Sequence, residues 1–119
     1  MTIGITINMK YNQGDIVLVP YPFTDLSSSK KRPVVIISKD SINDQDYVVA
    51  KISSVIKNDN LSILIKPADT KTSLHFLSEV RTNNLLTIHS SLIIKKITSF
   101  NKEPLTRITE SIKDNLSVE

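Results

Sequence analysis

The chain has no cysteine, no tryptophan and only two glycines. Without cysteine there is no disulfide framework, no thiolate zinc site and no cysteine nucleophile. The two histidines, His75 and His89, stand far apart and make a poor metal constellation, so the chain reads as free of metal and of cofactor. Three phenylalanines and three tyrosines are too few for an extensive base-stacking platform. No apolar run approaches membrane-spanning length, and "MTIGITINMK" lacks the basic start and long apolar stretch of a secretory signal. The expectation is a cytoplasmic protein that does not enter a membrane. G-x-S-x-G, P-loop and H-E-x-x-H motifs are all missing, which argues against a catalytic triad and against metallohydrolysis.

What is present fits one domain. The chain has 119 residues, long enough for a single core, with no internal repeat. Fifteen bases face twelve acids, for a formal charge of +3. That excess permits an anionic partner without demanding one. Residues 1–10 read as an N-terminal extension, loosely held or disordered, or as the product of a start upstream of Met9. Residues 11–119 read as the folded unit.

Short β-branched runs dominate. "DIVLVPYPF" (Asp15 to Phe23) follows a glycine and reads as a strand ending at Pro20 and Pro22, which cannot donate to a ladder. "TDLSSSKK" is polar and aperiodic, hence a loop. "PVVIIS" is continuously apolar, as in a strand covered on both faces. In "DYVVAKISS", Val48, Ala50 and Ile52 share one face, with Lys51 and Ser53 opposite these core residues. "LSILIK" reads as a hairpin partner of that strand through the turn "VIKNDN". "HFLSEVR" sets Glu79 and Arg81 on one face near the strand's end. A short segment around Thr87 to Leu92 and a strand "IIKKIT" follow. From Asn101 the pattern turns helical, with Asn101 as cap, Pro104 in the first turn and an apolar stripe of Leu105, Ile108, Ile112 and Leu116. Many strands followed by a terminal helix predict a mainly β (α+β) fold, a small antiparallel barrel with a C-terminal helix.

The loop delivers Lys30, Lys31 and Arg32 to the start of a buried strand. An arginine anchored there can hold a phosphate bidentately, while a solvated charge run accounts equally for the pattern. Ser53 ends its strand beside Ser54; its hydroxyl can donate to a phosphate or bond its own backbone at a turn. Tyr21 and Phe23, beside the basic loop, read either as stackers of a base or two or as packing residues. His89 reads as an exposed polar residue and His75 as the candidate for proton transfer.

Taken in order, "GDIVLVPYPFTDLSSSKKRPVVIIS", "YVVAKISS", "SEVRTNNLLTI" and the helical tail resemble the PemK/MazF family of bacterial toxins from type II toxin–antitoxin modules. The resemblance runs from about Tyr11 to the end. It implies an SH3-like, plasmid-maintenance-toxin barrel that forms a homodimer and cuts single-stranded RNA without a metal. The family's catalytic arginine and its Thr or Ser fall on Arg32 and Ser53. The implied reaction is attack of the ribose 2′-OH on the adjacent phosphorus, leaving a 2′,3′-cyclic phosphate and a 5′-OH. Arg32 would stabilise the charge and donate a proton to the leaving oxygen. Lys30, Lys31, Tyr21, Phe23, Thr24 and Lys51 would contact the RNA. The implied partner is a cognate antitoxin with an acidic, partly disordered segment.

The sequence departs from the family at "FLSEVRT". Ser78 and Phe76 stand where some members carry an acid and a base, and Glu79 is the substitute for the acid. Arg81 matches the family's arginine, expected to hold the site or the dimer together. Thr98 replaces a late glycine, which implies a change of turn geometry. Two further readings are a toxin of the same fold that binds DNA gyrase without catalysis, and an inactive remnant that binds only antitoxin or RNA.

Overall fold

The computed structural model describes residues 10–21 and 30–119. Six strands form one sheet: β1 (Asp15–Tyr21), β2 (Lys30–Ile36), β3 (Asp46–Ser53), β4 (Ser62–Ile65), β5 (Ser78–His89) and β6 (Lys95–Ser99). Their spatial order is β4-β5-β3-β2-β1-β6, with every pairing antiparallel. One helix, α1 (Lys102–Asn115), follows, and two 3-10 turns, Pro67–Asp69 and Ser90–Leu92, join strands. The sheet curls into a half-barrel with the helix against it, the expected mainly antiparallel fold.

The curl buries both faces of the central strands. On one face Ile16, Val35, Ala50, Ile52 and Val80 pack with Ile108 and Ile112 of α1. On the other, Val17, Val19, Val34, Ile36, Tyr47 and Val49 form a second cluster. The unbroken run in "PVVIIS" is thereby explained, since Val35 faces one cluster and Val34 and Ile36 the other. The same fact corrects the reading of β3. The face shared by Lys51 and Ser53 is also core at its other end, where Tyr47 and Val49 are buried, because β3 lies inside the sheet.

Pairing and boundaries differ from expectation in several places. β4 is not the hairpin partner of β3; it pairs with β5, Ser62 opposite Arg81 and Ile65 opposite Ser78. β5 starts at Ser78 rather than His75 and runs unbroken to His89, absorbing the segment expected around Thr87. It pairs with β3 at both ends, yet between those stretches only Lys51 stands opposite residues 81–84, so β5 bulges there. No alternation pattern announces such a bulge. Lys30 and Lys31 belong to β2, not to the preceding loop. Pro20 does not end the first strand, which runs on to Tyr21 with Pro20 opposite Lys31; Pro22, Phe23 and the loop from Thr24 to residue 29 lie outside the described residues.

In the helix, Asn101 occupies the cap position with extended backbone, but its side chain makes no capping bond and donates instead to Ala68 O at 2.9 Å. Pro104 is buried in the first turn, where its missing N–H costs nothing. Ile108 and Ile112 are buried and Leu105 is half-buried, whereas Leu116, beyond the last turn, stays exposed and leaves the stripe. Thr98 lies in β6, not in a turn, and its hydroxyl accepts from Thr72 N at 2.9 Å.

Gly14 is required by its conformation. Its φ is +92°, its N–H donates to Ile36 O at 2.8 Å, and its carbonyl accepts from Phe100 N at 2.9 Å. An added Cβ would lie 2.9 Å from Leu105. Gly14→Ala is therefore expected to cost about 2 kcal/mol, read as a lowered urea midpoint with an unchanged slope.

Candidate nucleic-acid interface

The β2–β3 ladder ends at Val34 opposite Lys51. Pro33 has no N–H with which to extend it, and beyond that point the strands part. Two residues further along each strand come Arg32 and Ser53, so the separation brings the two expected catalytic positions to one opening.

That opening leads into a groove of ≈ 920 Å³. Lys31, Arg32 and Pro33 line it from β2, Lys51, Ile52 and Ser53 from β3, and Lys95, Lys96 and Ile97 from β6. Leu18 of β1 lies between the β2 and β6 walls, and Ser54, Val55, His75 and Phe76 complete the described lining. Five bases and no carboxylate appear among those residues. The mild excess of the whole chain is thus concentrated at one place, where the field favours an anionic polymer. Lys96 is steadied by an ion pair with Asp15 at 3.3 Å. Asp15 is buried and accepts from Asn12 N at 2.9 Å.

Of the residues expected from sequence, the groove collects Arg32, Ser53, Lys31, Lys51 and His75. Lys30 is exposed at the start of β2, outside the lining. Phe23, Thr24 and the side chain of Tyr21 lie outside the described residues. Ser53 Oγ accepts from Val55 N at 3.1 Å and approaches Val55 O at 3.3 Å, the backbone turn that the sequence left open as one of its two uses. His89 is exposed, and its Nδ1 accepts from Ser91 N at 3.1 Å, closing a 3-10 turn. Lys95, Lys96 and Ile97 were missed by sequence reasoning. Two adjacent lysines in the otherwise apolar "IIKKIT" are the signature of an edge strand and were the available signal.

Ser78, Glu79 and Arg81 stand away from the groove lining. Ser78 is fully buried, its hydroxyl 3.4 Å from Phe76 O. Glu79 is 1% exposed, and Arg81 Nη1 donates to its Oε2 at 2.9 Å. The other oxygen of Glu79 accepts from Lys57 N at 3.1 Å and Asn58 N at 3.2 Å, and Ser62 Oγ donates to Oε2 at 2.7 Å. Burial pushes the Glu79 carboxyl up, but bonds from Ser62, Arg81, Asn58 and Lys57 outweigh it and hold the group below its ordinary value. Arg81 also grips Asp59, with contacts of 2.9 and 3.3 Å. The cluster ties β5 to the segment that connects β3 with β4, which begins with the groove residues Ser54 and Val55. An acid so fully engaged is a brace for that segment.

Asp59 is held at about 2, chiefly by the Arg81 guanidinium and then by Ser62. A depressed carboxyl stabilises the fold above its unfolded value of 3.8 and loses that contribution as pH falls toward 2. Asp59→Asn is accordingly expected to unfold more easily than wild type at pH 6, with the gap much narrowed as pH falls to 2, as urea melts at the two pH values will show.

The half-barrel matches solved structures of toxins. The Mycobacterium tuberculosis toxin MazF-mt6 superposes with a TM-score of 0.70 at 17% identity, over 88% of this chain and 98% of that one. An endoribonuclease in complex with its cognate antitoxin, from Mycobacterial species, gives 0.70 at 14% identity, over 92% and 100%. MazE-MazF from Deinococcus radiodurans gives 0.73 at 10% identity, over 92% and 97%. At such identities the likeness establishes the fold. Residues 12–116 match the family model of the PemK-like, MazF-like toxin of type II toxin–antitoxin systems, and the chain belongs to that family. Among curated protein sequences, none matches it.

Proposed function

We propose that this toxin is a metal-independent, sequence-selective endoribonuclease that cuts single-stranded RNA, mRNA included, with Arg32 and Ser53 at the reacting phosphate. The observation that carries the reading is their convergence where β2 and β3 part, inside a groove lined by five bases. The ribose 2′-oxygen attacks the adjacent phosphorus as its proton leaves, and the bond to the 5′-oxygen breaks. A 2′,3′-cyclic phosphate and, after protonation, a 5′-OH remain. RNA supplies the nucleophile, so the protein must mainly stabilise the charge building on the phosphorane. Arg32 stays protonated and does this with a planar fork of donors. Ser53 exchanges its turn partner for a phosphate oxygen. His75, on the same groove, is the imidazole available for proton transfer. DNA lacks the 2′-OH and is not cut.

Lys31, Lys51, Lys95 and Lys96 position the RNA backbone. Tyr21, Phe23, Thr24 and Lys30, near Lys31 and Arg32 along the chain, complete the proposed contact set. In the cytoplasm the toxin acts as a homodimer until a cognate antitoxin lays an acidic, disordered segment over the cations. The relatives whose names pair toxin with antitoxin support this reading. Of the described residues, no helix is long and apolar enough to cross a membrane. The test is incubation of the purified protein with long single-stranded RNA in EDTA, followed by chemical mapping of the ends. New 5′-OH ends are the expected result; intact RNA across varied sequences would overturn the proposal.

A further inference from the structure

Where β3 ends, two adjacent hydroxyl residues line the groove, Ser53 and Ser54. They are not equally free. Ser53 Oγ accepts from Val55 N at 3.1 Å and lies 3.3 Å from Val55 O, so its turn occupies it. Ser54 is exposed, and among the described residues its hydroxyl has no hydrogen-bond partner. The backbone that carries it is nevertheless held on both sides. Ser53 stands opposite Glu79 in the β3–β5 ladder. A short way beyond Ser54, the N–H groups of Lys57 and Asn58 donate to Glu79 Oε1 at 3.1 and 3.2 Å. Ser54 thus rides on a short span fixed at either end to the same residue of β5.

We infer that Ser54 is a phosphate anchor, whose hydroxyl donates to a backbone phosphate oxygen of RNA lying in the groove and holds the strand beside Arg32 and Ser53. The inference rests on the ribonuclease reading and adds a residue to its substrate contacts. Lysines draw in a polyanion as compact charges on flexible stems. A hydroxyl adds one directed donor. Contacts of that kind position a nucleic-acid backbone without reading its sequence. Ser53 must break its turn bond to make one, whereas Ser54 has only water to shed. Its span is braced beforehand, so little ordering is left to be done on binding. Five bases and no carboxylate stand among the described lining, so no acid there competes with the phosphate as acceptor.

The test is equilibrium binding of a mixed-sequence 2′-O-methyl dodecanucleotide, which cannot be cleaved through the 2′-oxygen, to the full chain. Ser54→Ala is expected to weaken binding about fivefold, the loss typical of one neutral hydrogen bond, and Ser54→Thr to restore it. The factor stays the same between about 50 and 200 mM salt, because a neutral donor releases no counterion, whereas the loss in Lys51→Ala shrinks as salt rises. Ser54 is exposed, so the urea midpoint of both its variants matches that of wild type. Binding by Ser54→Ala as tight as wild type, a loss that Ser54→Thr fails to restore, or a loss that fades with salt overturns the anchor and leaves the nuclease reading intact. Failure of wild type to bind overturns both.

Discussion

If the protein is the proposed ribonuclease, Arg32→Ala is expected to lower kcat/KM for RNA cleavage by about 10²–10³-fold, with urea stability close to wild type. The magnitude is that of removing one preorganised donor aimed at developing negative charge in a water-poor site. Arg32→Lys recovers part of the loss, because the charge returns but the bidentate fork does not. Ser53→Ala costs less, about tenfold, since a neutral hydroxyl contributes roughly 1 kcal/mol net. Its hydroxyl also spends the resting state on Val55. Single-turnover rates on one defined RNA, measured in EDTA, check all three. Equal rates for wild type and Arg32→Ala would remove Arg32 from the chemistry even if the protein proves to be a nuclease.

The second large effect falls on stability. Arg81→Ala leaves the buried Glu79 carboxylate without its cation, and breaking a buried pair from one side typically costs 3–5 kcal/mol. Ser62 and the backbone of Lys57 and Asn58 still donate to Glu79, which places the expectation at the lower end, about 3 kcal/mol. For a domain of this size that lowers Tm by roughly 10–15 °C. The sign of the pH dependence follows from the direction of the Glu79 shift. A carboxyl depressed in the fold stabilises above its unfolded value, 4.5, and loses that contribution as pH falls below it. The gap between wild type and Arg81→Ala therefore narrows in acid. If Glu79 were the acid or base of the reaction instead of a brace, Glu79→Gln would abolish one limb of the pH–rate profile; a brace leaves the profile's shape unchanged and raises KM.

The departure at "FLSEVRT" takes on meaning in the same place. Ser78 and Glu79 are buried in the β4–β5–β3 region, so neither faces the groove. Phe76, just ahead of β5, does reach it. The expectation of a second acid–base group here arose from order along the chain. Side chains two residues apart in an ideal strand share a face, but β5 has only begun at Ser78, and Phe76 lies outside its alternation.

The sequence alone determined what depends on nearest neighbours in the chain. Runs of β-branched residues marked where strands form, and the 3.6-residue spacing of Ile108 and Ile112 marked the helix face. The ordered motifs carried the family, and with it the proposal for Arg32 and Ser53. The tertiary structure alone decided which strands pair and therefore which bases meet. β6 crosses to the far side of β1 and adds Lys95 and Lys96 to a groove otherwise built by β2, β3 and residues near β5. β4 turns away from β3 to pair with the other edge of β5. Pairing is a contest among edges of similar alternation and similar local energy. It is settled by the closing of a two-faced core, a property of the whole sheet that no single segment encodes.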